Sequence, residues 1–307
     1  MKNLVIKTVN LTKKYGDFTA VKSLNLEIYE GEFFCLLGPN GAGKTTTFLM
    51  LLGLTRPTYG SAWIYGHDVT KNPLEAKKRV GFVPEVPGLY DDLTARENLV
   101  FTAELNGVPK GIREKRIMDL LEKVDLKEWA DVKVGKFSRG MKQRLAIADA
   151  LIKEPKVLIL DEPTAGIDPK GSEEILSLLE ILSKNEGITI LMSSHLLHYV
   201  ERYGDRIAIM SRGEIVAMGE PSSLIKGESV IELNLKEIDN LLVSELGGIK
   251  GVKEVRREGN KIIVLAGKDI RKEIFEVISR RGDKVSGVSF APSLEKIYAK
   301  YFKEEKA

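Results

Sequence analysis

Short apolar runs bounded by turn residues recur along much of the chain. Phe33-Phe34-Cys35-Leu36-Leu37 and Val157-Leu158-Ile159-Leu160 contain no polar side chain, and Ile188-Thr189-Ile190-Leu191-Met192 contains only a threonine. Runs of this kind predict strands buried on both faces, the habit of a parallel sheet. Val80-Gly81-Phe82-Val83 is a further apolar strand, stopped by Pro84. Leu4 to Val9 and Leu24 to Tyr29 predict shorter strands framing the first run, hence an antiparallel subdomain beside a parallel core. The pattern changes between Leu89 and Arg144. Thr94 is followed three residues later by Glu97, a helix-capping pair, and Ile112 to Val124 carries apolar residues at helical spacing, so a helical segment is expected over about 89–144.

A hairpin from Arg206 to Gly219, turned at Ser211-Arg212-Gly213-Glu214, precedes Pro221-Ser222-Ser223, and a domain boundary is expected there, giving units 1–222 and 223–307. In the second unit the pattern reads strand Val230–Leu235, helix Glu237–Leu246, strands Val252–Arg257 and Lys261–Leu265, helix Asp269–Arg280 and strand Lys284–Phe290. That β-α-β-β-α-β order predicts a small ferredoxin-like α+β domain, with a last helix from Leu294 to Phe302. RNA-recognition modules share the order but stack bases on aromatic residues of the middle strands, and Val252 to Leu265 contains no aromatic.

Chemistry enters directly after the first apolar run. Gly38-Pro39-Asn40-Gly41-Ala42-Gly43-Lys44-Thr45-Thr46 satisfies G-x-x-x-x-G-K-T, a phosphate-binding loop in its strand-to-helix context. Backbone N–H groups must wrap the phosphates, and side chains on Gly38, Gly41 or Gly43 would block that approach or the required backbone angles. Lys44 is expected to reach the outer phosphates, the Thr45 hydroxyl to hold Mg²⁺, and the helix from Thr46 to Leu52 to add its positive N-terminal dipole. The second apolar run ends in Asp161-Glu162-Pro163. Charges are tolerated at the end of a buried strand, and ligand sites of parallel sheets lie at the carboxyl ends. Asp161 is therefore a Mg²⁺ partner, direct or through water, and Glu162 the candidate base for an attacking water.

Composition narrows the class. The 307 residues carry a net charge of +3 with acids and bases interspersed, which leaves no polybasic footprint for nucleic acid. One cysteine excludes a disulfide framework and suits a reducing compartment. No run approaches the length of a membrane span, and Met1-Lys2-Asn3-Leu4-Val5-Ile6-Lys7 has no signal-peptide core, so the chain itself is not expected to cross a bilayer.

Phe137-Ser138-Arg139-Gly140-Met141-Lys142-Gln143-Arg144, ahead of a helix expected from Leu145 to Lys153, resembles the signature motif of ATP-binding cassette proteins, with Arg139 in place of the usual first glycine. The resemblance covers about residues 1–222 and implies an α/β P-loop cassette: a parallel core sheet, an antiparallel β subdomain and a helical subdomain that docks on membrane partners. It implies that Tyr15 stacks on adenine, that Ala165-Gly166-Ile167-Asp168 is a loop crossing a dimer interface, and that His195 contacts the γ-phosphate. Ser138 and Gly140 would close on the nucleotide of a second cassette. Where the family has a glutamine, Val83-Pro84 is followed by Glu85, which could ligate Mg²⁺ beside Thr45 and Asp161. The implied function is an ATPase subunit of a transporter of the exporter type. ATP and Mg²⁺ are its cofactors and Lys44, Glu162 and His195 its catalytic residues. It would be paired with a second copy or a related cassette, bound to integral membrane permease subunits, and cytoplasmic on the inner face of the cell membrane. The alternative is a soluble cassette acting on ribosomes or DNA, but such proteins usually carry two cassettes or a long coiled coil, and this chain has one P-loop and no sustained heptads between Thr45 and Ser138.

Overall fold

A computed structural model describes residues 3–224, 229–236, 240–267, 270–280 and 285–291. The expected last helix, Leu294–Phe302, lies outside them. The chain divides into two compact units, Met1–Met218 and Gly219–Ala307.

The first unit opens with a long hairpin, β1 (Leu4–Tyr15) and β2 (Phe18–Tyr29), paired antiparallel from Leu4↔Tyr29 to Tyr15↔Phe18. Both strands exceed the expected six-residue pieces because the ladder continues past a bulge. Asn10 adopts a φ of +47°, which asparagine tolerates, and its N–H is taken by the Asn25 side chain at 2.9 Å. Next come β3 (Phe33–Leu37), helix α1 (Lys44–Leu51), β4 (Tyr59–Ile64), β5 (His67–Asp68), α2 (Pro73–Lys77) and β6 (Val80–Val83). The helical segment holds α3 (Ala95–Leu105), α4 (Lys110–Lys123) and α5 (Arg139–Leu151); β7 (Val157–Leu160), α6 (Pro169–Lys184), β8 (Thr189–Ser194), α7 (Leu197–Tyr203), β9 (Arg206–Ser211) and β10 (Glu214–Gly219) follow.

These strands form two sheets. One has the order β2-β1-β4-β5 and antiparallel pairing; the other has the order β10-β9-β3-β8-β7-β6, with β9, β3, β8, β7 and β6 mutually parallel. Every residue of β3, β7 and β8 is buried, which explains why their sequences lack the polar alternation of a one-faced strand. Val5, Leu11 and Leu26 of the antiparallel sheet share one core with Phe34 and Leu36 of β3 and with Phe48 and Met50 of α1. Each such side chain contributes about 1.5–3 kcal/mol on burial, so the two sheets and α1 are held as one frame. The Cys35 thiol lies inside this frame; burial first, and the nearby Asp205 charge second, push its pKa far up and keep it an inert thiol.

In the helical segment, α3 starts with the expected capping box: the Glu97 N–H donates to Thr94 Oγ1 at 3.1 Å, and the Thr94 N–H donates to Glu97 Oε2 at 2.7 Å. Helix α5 begins six residues earlier than expected, at Arg139 rather than Leu145, with Ser138 as its N-cap. The turn Arg139-Gly140-Met141-Lys142 is half-buried after Arg139 and has no apolar periodicity, so the sequence does not reveal it as helix.

The second unit contains α8 (Pro221–Leu224), β11 (Ser229–Leu235), α9 (Asn240–Gly247), β12 (Val252–Glu258), β13 (Lys261–Ala266), α10 (Arg271–Ser279) and β14 (Val285–Ala291). From β11 onward this is the β-α-β-β-α-β succession read from the sequence. Its sheet has the order β12-β13-β11-β14 with antiparallel pairs, and Ile231, Leu233, Ile262 and Val264 pack with Leu242, Leu246 and Ile274 in a core of its own. The boundary falls after Met218, ahead of the expected 222, because α8 belongs with this unit.

Candidate functional site

Strands β3, β8 and β7 are adjacent and parallel, with Leu37 level with Ser194 and Leu160 level with Met192. Their carboxyl ends therefore deliver three loops to one place: Gly38–Gly43, Asp161-Glu162 and Ser193-Ser194-His195. The Gly38 N–H donates to the Ser194 carbonyl at 3.3 Å, stitching the first loop to the third.

The glycines of the first loop serve different needs. Gly41 has a φ of +80° with open space where a Cβ would stand, so its requirement is the left-handed backbone alone. Gly43 has a φ of +106°, and a Cβ there would sit 2.4 Å from the Ala20 carbonyl oxygen. A Cβ on Gly38 would sit 2.4 Å from the Met210 carbonyl oxygen. The loop is thus wedged between β2 and β9, and close packing, besides an approach for phosphate, demands glycine. Pro39 is half-buried, Asn40 exposed and Ala42 buried; after the loop, Thr45 is exposed in the first turn of α1 and Thr46 half-buried.

Lys44 is buried, and its ammonium donates to the carbonyls of Gly38 at 2.7 Å and Pro39 at 3.1 Å. It also stands 3.1 Å from Glu162 Oε1, an ion pair without an aligned hydrogen bond, which leaves Oε1 a buried acceptor without a hydrogen-bonded partner among the described residues. The other oxygen, Oε2, is 2.8 Å from His195 Nδ1. With the carboxylate ionised, that contact requires a proton on Nδ1 and makes the imidazole the donor. Glu162 itself holds a φ of +46°, a conformation that costs a non-glycine residue about 1–2 kcal/mol. Its N–H is fixed by Ser193 Oγ at 2.8 Å, and the same hydroxyl donates to Asp161 Oδ1 at 2.6 Å. One fully buried serine therefore orients both carboxylates. Its only sequence signal is position, at the end of a buried aliphatic strand and two residues before His195, and sequence reasoning gave it no role.

Asp161, Glu162, Lys44 and His195 are thus gathered in one cluster at the strand ends. Tyr15 lies at the end of β1, half exposed, with Lys13 Nζ 4.9 Å above its ring. Ser138 and Gly140 occupy a different place, the first turn of α5, where Ser138 Oγ accepts the Met141 N–H at 3.2 Å. Arg139 between them donates to the Gly166 carbonyl at 3.3 Å. Asp168 caps α6 by accepting the Gly171 N–H at 3.0 Å, and that bond holds its carboxyl below the usual range. Glu85 is exposed on the loop after β6, lining a cavity of about 660 Å³ together with Arg139, Gln143 and Gly166.

The family description ABC transporter matches residues 21–165. Among curated relatives, the bacitracin transport ATP-binding protein BcrA of Bacillus licheniformis is 47% identical over 212 residues, covering 69% of this chain and 68% of that protein. The linearmycin resistance ATP-binding protein LnrL of Bacillus subtilis (strain 168) is 38% identical over 254 residues, covering 82% and 81%. The Nod factor export ATP-binding protein I of Burkholderia lata is 41% identical over 227 residues, covering 73% and 74%. Of solved structures, cbiO1 from Clostridium perfringens, part of the ABC transporter complex cbiONQ, matches with a TM-score of 0.68 at 32% identity over 73% of this chain and 91% of that one. The ATP-binding cassette MJ0796, a dimer in a post-hydrolysis state with ADP and Pi, matches with a TM-score of 0.65 at 31% identity over 70% and 98%. With its phosphate loop, acidic strand end and histidine assembled at the ends of β3, β7 and β8, the chain belongs to the ATP-binding cassette transporter family, as an ATP-binding, ATP-hydrolysing subunit.

Proposed function

We propose that this subunit powers export through separate membrane permeases, and that hydrolysis is carried by the chain Lys44–Glu162–His195. The observation that carries the reading is Glu162, a buried carboxylate in a strained backbone conformation, held from both sides and retaining one oxygen without a hydrogen-bonded partner. A group so constrained suits the orientation of a water. Phosphate oxygens arriving in the loop compete with Glu162 for the Lys44 ammonium, and the freed Oε1 accepts a proton from the attacking water. His195, exposed at the rim and anchored through Nδ1, keeps Nε2 available to meet the outer phosphate. Tyr15 offers a ring face to adenine.

Mg²⁺ fits the donor set. The Thr45 hydroxyl and the Asp161 carboxylate are hard oxygen ligands, one hydroxyl and one carboxylate. That suits an ion that takes one or two protein oxygens and shares the substrate's phosphates. Held by those oxygens, Mg²⁺ would neutralise charge that develops on the phosphates. Asp161 would hold it through the oxygen that Ser193 leaves open.

Ser138 and Gly140 stand apart from the phosphate loop in the first turn of α5, which supports pairing of two cassettes so that the signature turn of one meets the nucleotide of the other. The similarity to a dimeric cassette bound to ADP and Pi supports the same arrangement. Val86, Tyr90, Phe101 and Leu105 are exposed apolar residues on and beside α3, with Leu89 half-buried among them, and they suit docking on a permease. No helix among the described residues is long and apolar enough to cross a membrane. As the ATP-binding partner of such permeases, the subunit works from the cytoplasmic face as a peripheral protein. Relatives named for bacitracin transport, linearmycin resistance and Nod factor export support the outward direction.

Affinity isolation of the tagged Glu162→Gln chain from its native membranes, in mild detergent with ATP, tests the assignment. Recovery of a polytopic membrane protein is expected, and recovery of ribosomes or DNA in its place would refute the transporter reading. In the same variant ATP binding persists while turnover falls by about 10²–10⁴-fold, whereas Lys44→Ala weakens ATP binding itself.

A further inference from the structure

Glu85 and Arg139, the two departures from the family pattern, line the same cavity. It has three walls: the loop after β6 with Glu85 and Val86, the start of α5 with Arg139 and Gln143, and Ala165-Gly166 after β7. Its polar groups are incompletely matched. Lys142 is taken up by Asp91 at 2.7 Å. Glu85 is exposed and has no hydrogen-bond or ion-pair partner among the described residues. Arg139 directs a single long bond, 3.3 Å, at Gly166, although a guanidinium carries five donors. Gln143 is 3% exposed, and its Nε2 has no hydrogen-bond partner among the described residues. A buried amide donor without an acceptor is an energetic liability, retained where an acceptor arrives in another state.

We propose that Glu85 is a positioning residue for ATP turnover: its carboxylate closes on the Arg139 guanidinium and the Gln143 amide and clamps the loop after β6 to the signature turn. A carboxylate has the acceptor capacity to meet both donors at once, and the planar guanidinium suits bidentate pairing. A glutamine at 85 or a glycine at 139 could not form the ion pair, so each departure supplies what the other needs. The clamp reaches the chemistry through the backbone. The Asp161 N–H donates to the Val83 carbonyl at 2.9 Å, two residues before Glu85, while Arg139 lies between Ser138 and Gly140. The inference rests on the hydrolytic site proposed above.

The test is a charge swap in the full chain: Glu85→Arg, Arg139→Glu and the double variant, with kcat, KM and ATP affinity measured across a Mg²⁺ titration. Each single variant lowers kcat about tenfold and leaves the KM for ATP within about twofold, and the swap regains at least about threefold over the worse single. Gln143→Leu deletes the unpartnered donor and so keeps the fold at least as stable to heat, yet lowers kcat about threefold. A swap no better than the worse single overturns the proposal. So does wild-type kcat in Gln143→Leu, or a Glu85→Arg variant whose defect is a raised Mg²⁺ requirement, the sign of a metal ligand. Failure of the underlying reading looks different: the unmodified chain and Lys44→Ala would then bind ATP alike, whatever the swap does.

Discussion

Removing the Ser193 hydroxyl should unsettle both the fold and the chemistry, because one buried group serves two carboxylate-bearing residues. Ser193→Ala strands the buried Glu162 N–H, a loss of about 1–3 kcal/mol, and deletes a bond to the charged Asp161 acceptor, a further 1.5–3 kcal/mol or so. One hydroxyl makes both bonds, so the losses overlap, and about 2–4 kcal/mol is expected in total. In a unit the size of Met1–Met218, each kcal/mol shifts the melting temperature by about 2–4 °C, which gives a fall of roughly 4–16 °C. The kinetic consequence follows from the Glu162 backbone. Its φ of +46° is held in part by the Ser193 bond; once released, it relaxes and takes the carboxylate off the line between Lys44 and His195. We expect kcat to fall about tenfold at nearly constant KM, the mark of lost positioning rather than lost nucleotide binding. Thermal scanning by circular dichroism and a coupled phosphate-release assay provide the two readouts. A melting temperature within about 2 °C of wild type together with an unchanged kcat would refute the reasoning.

Other perturbations separate scaffold from site. Gly41→Ala introduces only left-handed strain, about 1–2 kcal/mol, whereas Gly43→Ala adds a Cβ 2.4 Å from the Ala20 carbonyl oxygen, so nucleotide titration should rank Gly43→Ala clearly weaker. Thr94→Ala breaks the capping box of α3 and should cost about 1 kcal/mol of stability with per-chain ATPase unchanged; loss of ATPase would tie the start of α3 to catalysis. Asp149, on α5, has its carboxyl pKa raised chiefly by burial, against the lowering effects of a Thr102 hydrogen bond and the Lys153 charge. A raised carboxyl in the folded state contributes stability below the ordinary value of 3.8 and loses it as pH climbs through the folded value. Asp149→Asn should therefore melt higher than wild type at pH 7, with the advantage shrinking as pH falls toward 3.8; an advantage independent of pH would show that burial of the charge is not the cause.

The gathering of the glycine loop, the acidic strand end and His195 was legible in the sequence because each component is local. A buried run followed by its loop or its acids fixes both an element and the chemistry at the element's end, and parallel strands bring such ends together without further information. What the sequence could not show are pairings between distant segments. The Ser193 bond to Asp161 spans 32 residues and the Arg139 bond to Gly166 spans 27, and neither partner's residue type announces the other. The β1–β2 hairpin was under-read for a different reason. Asn10 and Lys13 to Tyr15 look like a loop by polarity, yet a bulge lets the ladder run on through them, so pairing outlasts the hydrophobic pattern. In α5 the opposite held: the signature residues form the N-cap and half-buried first turn of a helix whose apolar period starts only at Leu145.

That turn bears on how hydrolysis is gated. Glu162, Asp161 and His195 are fixed to the ends of fully buried strands, where displacement of one side chain displaces packed neighbours, so the half we propose as hydrolytic is rigid before nucleotide arrives. Ser138 and Gly140 ride instead on a helix terminus beside a cavity of about 660 Å³, where among the described residues Arg139 makes one long hydrogen bond to the loop after β7. A rigid half gains little from further ordering, whereas the signature half can be set or released by contacts made across that cavity. Control of turnover should therefore be exerted at the signature turn, and substitutions there should change kcat through the fraction of competent complexes rather than through the affinity of the phosphate loop.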